Sequence, residues 1–136
     1  MNPPCVQIED WRRYVRDGEQ YLRTAREALQ KRRAVFTPEI LYNLVAMSIE
    51  KSIMGYLMSR GDLAENHTMG DLAVALERNA GPLPGLTSGL RRLDRYQEIC
   101  DLDAYKRRPP SAAEIPAMLE IGQSVREWVA EQTGIA

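Results

Sequence analysis

The stretch from Ile40 to Met58 is apolar almost throughout, yet it carries Glu50 and Lys51 side by side in its middle. It is too long for a strand and is interrupted by Asn43, Glu50 and Lys51, so it predicts a helix buried on nearly all sides rather than a membrane span. Charge at the centre of the most buried helix of a small bundle must face a cleft, a partner or a compensating group, because an unpaired buried charge is costly. Function is therefore expected beside Glu50, with Glu50 and Lys51 taken as an ion pair.

The rest of the chain reads as helices arranged around that one. Trp11, Tyr14, Val15, Gly18, Tyr21, Leu22, Ala25, Ala28 and Leu29 recur at three- and four-residue steps and mark one face of a first helix. Its other face carries Arg12, Arg16, Glu19, Arg23 and Arg26, and Lys31, Arg32 and Arg33 follow at its end, where cations complement the helix dipole. Thr37-Pro38-Glu39 opens the second helix with a capping hydroxyl, a first-turn proline and an early carboxylate, and Gly61 ends it. Thr68 and Asp71 form a variant capping box for a short third helix stopped by Gly81. Pro82 and Pro84 read as a stiff connector, and Leu86, Leu90, Leu93, Tyr96, Ile99 and Cys100 as a fourth helix, with Leu93 facing the second. After a linker from Asp101 to Pro110, Ser111 and Glu114 form a full capping box, and Ile115, Met118, Leu119, Gly122, Val125 and Val129 line a fifth helix ending near Gly134. The expected fold is all-α: a five-helix up-and-down bundle of four long helices and one short one, filling residues 1–136 as a single domain.

Bulk properties limit the function classes. A chain of 136 residues buries roughly two thirds of its extended-chain surface, enough for its own core. Its 18 basic and 19 acidic side chains nearly cancel, so nucleic-acid affinity would have to come from a local patch. Cys5 and Cys100 stand far apart without a CxxC partner, which argues against zinc or a disulfide framework, and neither has an activating basic neighbour. A reducing cytoplasm is the expected setting, and Met1 to Asp10 shows neither a signal peptide nor a membrane anchor. Gly81-Pro82-Leu83-Pro84-Gly85 is a rigid turn, lacking the lysine and repeated glycines of a phosphate cradle. No metal site, cofactor or serine nucleophile setting is expected.

Three features in order resemble the HEPN family of small helical bundles over nearly the whole chain. They are Tyr42, Ala46, Ile49-Glu50-Lys51-Ser52 and Tyr56-Leu57; then Gly61 with a loop ending in His67 before a short helix; then Leu102, Tyr105 and Arg107-Arg108-Pro109. The resemblance implies a homodimer, often made alongside a small nucleotidyltransferase and in some members acting as a ribonuclease toxin. Ribonuclease members place a histidine four to six residues after an arginine, and this chain departs there. Its one histidine, His67, lies seven residues after Arg60, and Arg91, Arg92 and Arg95 are followed by no histidine. Arg108 also stands where the family's Arg-Tyr-Pro segment has tyrosine.

Each candidate residue has a bland role as well as a functional one. Glu50 and Lys51, with Asn43 two turns earlier, make either a polar floor to a cleft or dimer seam, or a pair satisfied inside the bundle. Histidine is the residue type suited to general acid or base work near neutral pH, which makes His67 a candidate, but a loop histidine before a helix is more often a local hydrogen-bonding group. Arg91, Arg92, Arg95, Lys106, Arg107 and Arg108 present forks or charges that suit phosphate, yet Asp94, Glu98, Asp101 and Asp103 balance them as a solvated face would. Tyr96 and Tyr105 are positioned to stack on a base or to anchor the core.

The sequence thus points to a non-catalytic HEPN-like dimeric module. It would bind a nucleotide, RNA or a protein partner, a small nucleotidyltransferase among them, in a cleft near Asn43, Glu50, Lys51, Arg91, Arg95, Tyr105, Arg107 and Arg108. The alternatives are a divergent metal-independent ribonuclease using His67 or a carboxylate with Arg95 or Arg107, and a purely structural assembly domain. The apolar surplus of Met47, Met54, Leu57 and Met58, with Trp11 and Tyr14, is expected to form the two-fold seam.

Overall fold

A computed structural model describes residues 7–31, 35–96 and 110–135, apart from the side chain of residue 95. Among these residues every regular element is helical: α1 (Trp11–Gln30), α2 (Pro38–Ser59), α3 (Met69–Ala80), α4 (Pro84–Leu93) and α5 (Ile115–Thr133). Short 3₁₀ turns, Asp94–Tyr96 and Ala112–Glu114, extend α4 and lead into α5. The all-α bundle expected from the periodicity is the fold found. None of the described helices is long and apolar enough to cross a membrane.

Local chemistry sets the ends. Thr37 Oγ1 accepts from the Ile40 N–H at 3.2 Å, with Pro38 in the first helical turn. Thr68 Oγ1 accepts from the Asp71 N–H at 3.1 Å, but the Asp71 carboxylate accepts from the Thr68 hydroxyl rather than from its backbone. Ahead of α5 the Glu114 carboxylate takes the Ser111 N–H at 3.1 Å and its hydroxyl at 3.0 Å. Gly61 and Gly81 have φ of 76° and 82°, left-handed values that let the chain turn out of α2 and α3 without a Cβ clash. Pro84, expected in the connector, instead opens α4, where its missing N–H costs no helical bond. The fourth helix is the shortest of the five in its α-helical part, 10 residues, and its expected continuation to Cys100 lies outside the described residues.

α2 runs through the middle of the bundle, packed chiefly on α1, then on α5 and α3, while α3 and α4 pair with each other. From Ser52 to Met58 every residue of α2 is buried. The α1–α2 crossing is close because small residues face each other. The Ser48 hydroxyl donates to the Gly18 carbonyl at 2.6 Å, and a Cβ placed on Gly18 would lie 2.9 Å from both the Ser48 carbonyl oxygen and the Ser52 nitrogen. Gly55 answers from the other side: a Cβ there would lie 2.9 Å from the α1 backbone at Trp11 and Val15. Gly122 of α5 admits Leu22 and Val45 in the same way. The buried face of α4 meets α2 at its end, where the Tyr42 hydroxyl donates to the Leu93 carbonyl at 3.2 Å and the Tyr42 and Tyr96 rings stand 5.2 Å apart.

This packing corrects the expected seam. Met54, Leu57, Met58 and Trp11 are all buried within the single chain, so they leave no apolar surplus for a second copy. Met47 alone of the α2 residues named for it remains open to solvent.

Candidate functional site

The open face of α2 begins at its N-terminal end. Ile40, Asn43, Met47 and Glu50 follow one another at three- and four-residue steps, so they share one stripe. Ile40 is 41% and Met47 38% exposed, and Asn43 is exposed between them. Met54 and Met58 would continue the stripe but are covered. The uncovered surface is therefore an apolar pair flanking an amide, closed at one end by a carboxylate.

Glu50 and Lys51 part company. Consecutive helical positions point about 100° apart, and each side chain finds its own neighbour. Glu50 Oε1 lies 2.7 Å from His67 Nδ1, with the two side chains 30% and 50% exposed. Since an ionised carboxylate only accepts, Nδ1 carries the hydrogen and donates, which leaves Nε2 as the remaining polar atom of the ring. Lys51 Nζ sits 4.5 Å above the centre of the Tyr14 ring, a cation–π contact to α1. The pair is thus neither an ion pair nor buried; each charge is compensated at the rim of the bundle.

The loop that carries His67 is pinned at both ends. At its start Asp62 Oδ2 accepts from Arg78 at 2.7 Å and from Asn79 at 2.7 Å, both on α3, while Oδ1 takes the Leu63 N–H at 2.8 Å. Burial pushes the Asp62 carboxyl up, but the bonds from Asn79, Arg78 and Leu63 outweigh it and hold the pKa below the ordinary carboxylate range. His67 therefore meets α2 across a fixed loop. This is a contact between elements, where a local one at the start of α3 was expected.

The expected cationic half of the cleft divides differently. Arg91 of α4 pairs with Glu77 of α3 at 3.6 Å, and none of the described contacts links it to Glu50 or Lys51. Asp94, expected to balance the arginines, is instead bonded to the backbone of α3. Tyr96 is buried, packs on Tyr42 and donates its hydroxyl to Glu114, the anchoring role rather than the stacking one. Lys106, Arg107, Arg108 and Tyr105 lie outside the described residues, as do Cys5 and Cys100, and so does the side chain of Arg95.

One cluster escapes sequence reasoning. Glu19 of α1 takes Arg23 at 3.2 Å and Arg126 of α5 at 3.0 Å, and Arg26 donates to Gln123 beside them. The three guanidiniums border a pocket of about 130 Å³ on the α1–α5 side. Periodicity places Glu19, Arg23 and Arg26 together on α1, but nothing in the sequence brings Arg126 across from α5. Among the described residues no group of three histidine, cysteine or acidic side chains is placed to hold a metal ion.

No family model and no curated protein matches this chain. Its fold is similar to the crystal structure of TT1696 from Thermus thermophilus, with a TM-score of 0.72 at 19% identity over 91% of this chain and 98% of that one. A likeness at that identity concerns the arrangement of helices alone.

Proposed function

We propose that the chain is a non-catalytic HEPN-like module that dimerises and docks a protein partner through the α2 stripe. The observation that carries the reading is the uncovered set Ile40, Asn43, Met47 and Glu50 on a helix whose other faces are largely buried beyond its first turn. Mixed apolar and amide surface of this kind suits a protein face, whose interface core is poor in charge. It suits RNA or a nucleotide less well: Lys51 is held on Tyr14 and Arg91 on Glu77, so neither offers an open cation beside the stripe. A small nucleotidyltransferase is the partner implied by the family likeness. The test is light scattering of the full chain at micromolar concentration, comparing wild type with Met47→Asp. The expected result is a wild-type dimer and a monomeric variant of unchanged helicity; a wild-type monomer overturns the dimer.

A second reading rests on the Glu50–His67 contact. A carboxylate that fixes the tautomer and orientation of an imidazole is the arrangement general acid–base catalysis uses. Under this reading the chain is a metal-independent ribonuclease. Cleavage of labelled RNA in the presence of a chelator, lost in His67→Ala, would replace the non-catalytic reading; intact RNA with the wild-type protein leaves that reading in place.

A further inference from the structure

Arg23 and Arg126 come from different helices, yet their guanidiniums donate to the same oxygen, Glu19 Oε1, at 3.2 and 3.0 Å. The two cations are therefore held side by side, and one carboxylate is divided between them. Arg26 completes the rim of the pocket through a neutral partner, the side-chain oxygen of Gln123. Gln123 is fixed in turn, because its amide nitrogen donates to Glu127 at 2.9 Å. These side chains lie within α1 and α5 rather than at their ends, with the buried Leu22 beneath them, and the Arg126 side chain is only 28% exposed.

The charges around the pocket do not balance. Its lining carries three guanidiniums and a single carboxylate. Glu27, one residue after Arg26, and Glu127, one after Arg126, are the nearby acids in sequence, but neither borders the pocket. Among the described residues no carboxylate is paired with Arg26. Each guanidinium has five N–H donors, so most of those at the rim are left for a ligand. Like charges gathered in one place disfavour each other, and an excess of about two positive charges is what a bound dianion would offset.

We propose that this pocket binds the phosphate monoester group of a small molecule, with the rest of the ligand outside it. Guanidinium forks match phosphate oxygens two at a time, and a monoester near neutral pH carries a charge of about −1.5 to −2, against the single charge of a diester. Size agrees with charge. The volume of about 130 Å³ is that of roughly four waters, enough for the four oxygens of one phosphate group and well short of a site that encloses a whole ligand. The pocket shares no residue with the α2 stripe, so either stands without the other.

The test follows the side-chain Nε–H signals of Arg23, Arg26 and Arg126 in a proton–nitrogen correlation spectrum, assigned by substituting each in turn. Inorganic phosphate, glycerol phosphate and the diester dimethyl phosphate are titrated separately into the full chain in place of chloride, at constant ionic strength. The expected result is a saturable shift of all three signals with phosphate and glycerol phosphate, far weaker with dimethyl phosphate. Binding should weaken about tenfold in Arg26→Gln and in Arg126→Gln, and less in Arg26→Lys. Arg26 is exposed and its substitution leaves both bonds to Glu19 in place, so Arg26→Gln keeps the fold, which circular dichroism verifies. Signals unmoved by phosphate, moved equally by the diester, or titrating unchanged in Arg26→Gln overturn the site.

Discussion

The carboxylate of Asp94, one residue past α4, closes the start of α3: Oδ1 accepts the Met69 N–H and Oδ2 the Gly70 N–H, each at 2.8 Å. With Thr68 Oγ1 holding the Asp71 N–H and the Thr68 carbonyl holding Leu72, all four leading amides of the helix are satisfied. The negative charge also lies at the favourable end of the dipole. Gly70 permits this approach, since a Cβ there would stand 2.7 Å from Oδ2.

Gly70→Ala is therefore expected to destabilise the protein by about 1–2 kcal/mol through the displaced cap, although alanine is the better helix former. In an Asp94→Ala background the same substitution should cost little, because nothing remains to displace. Urea unfolding of the double-mutant cycle decides it: additive costs would show that Asp94 does not cap α3.

Gly18→Ala should cost about 1–3 kcal/mol by overpacking. Removing the nearest hydroxyl with Ser52→Ala should not rescue it, since the Ser48 carbonyl and the Ser52 nitrogen are backbone and stay where they are. Thermal unfolding of the single and double variants is the measurement, and full rescue by Ser52→Ala would place the crowding on the side chain alone.

Leu93→Ala removes a buried side chain next to Tyr42 and should cost about 2–5 kcal/mol. An unchanged unfolding midpoint would mean that α4 does not pack as described.

Asp62 links stability to pH. Its carboxyl has a folded pKa below the ordinary value of 3.8, so its contribution is complete above that value and is lost as pH falls through the lower folded one. The stability difference between wild type and Asp62→Ala should hold from neutral pH to about pH 5 and shrink steadily below about pH 4. A difference that is constant down to about pH 2.5 would remove the ionised carboxylate from the account.

What the sequence reveals here is governed by the distance over which each interaction acts. The central position of α2 follows from its continuous apolar run, and the Thr37, Thr68 and Glu114 caps follow from partners three residues apart. Glu50 and Asp94 mislead for one shared reason. Each is flanked by an opposite charge, Lys51 for one and Arg91, Arg92 and Arg95 for the other, yet each bonds across the fold. Glu50 reaches a histidine 17 residues away, and Asp94 reaches amides 24 and 25 residues away. Such pairings depend on how a loop brings two helices together, which composition and periodicity do not encode. The surplus expected of Met54, Leu57 and Met58 fails similarly: periodicity counts apolar faces, but only the packed bundle shows how many neighbours cover them.

The interlock of Gly18 with Ser48 and Ser52, and of Gly55 with Val15, has a consequence for motion. Two backbones in direct contact have no side-chain layer to repack, so α1 and α2 slide or separate only by breaking the whole crossing at once. They behave as one stiff body. Any breathing that admits a partner is left to α3 and α4, joined to that body through Gly61, linked to each other through Gly81, and held to α2 by side-chain packing, by Tyr42 on Leu93 and Tyr96, and by the His67–Glu50 contact. Amide hydrogens along the α1–α2 crossing should then exchange only on global unfolding, while those of α3 and α4 exchange together and earlier, through a partial opening that leaves the larger pair intact.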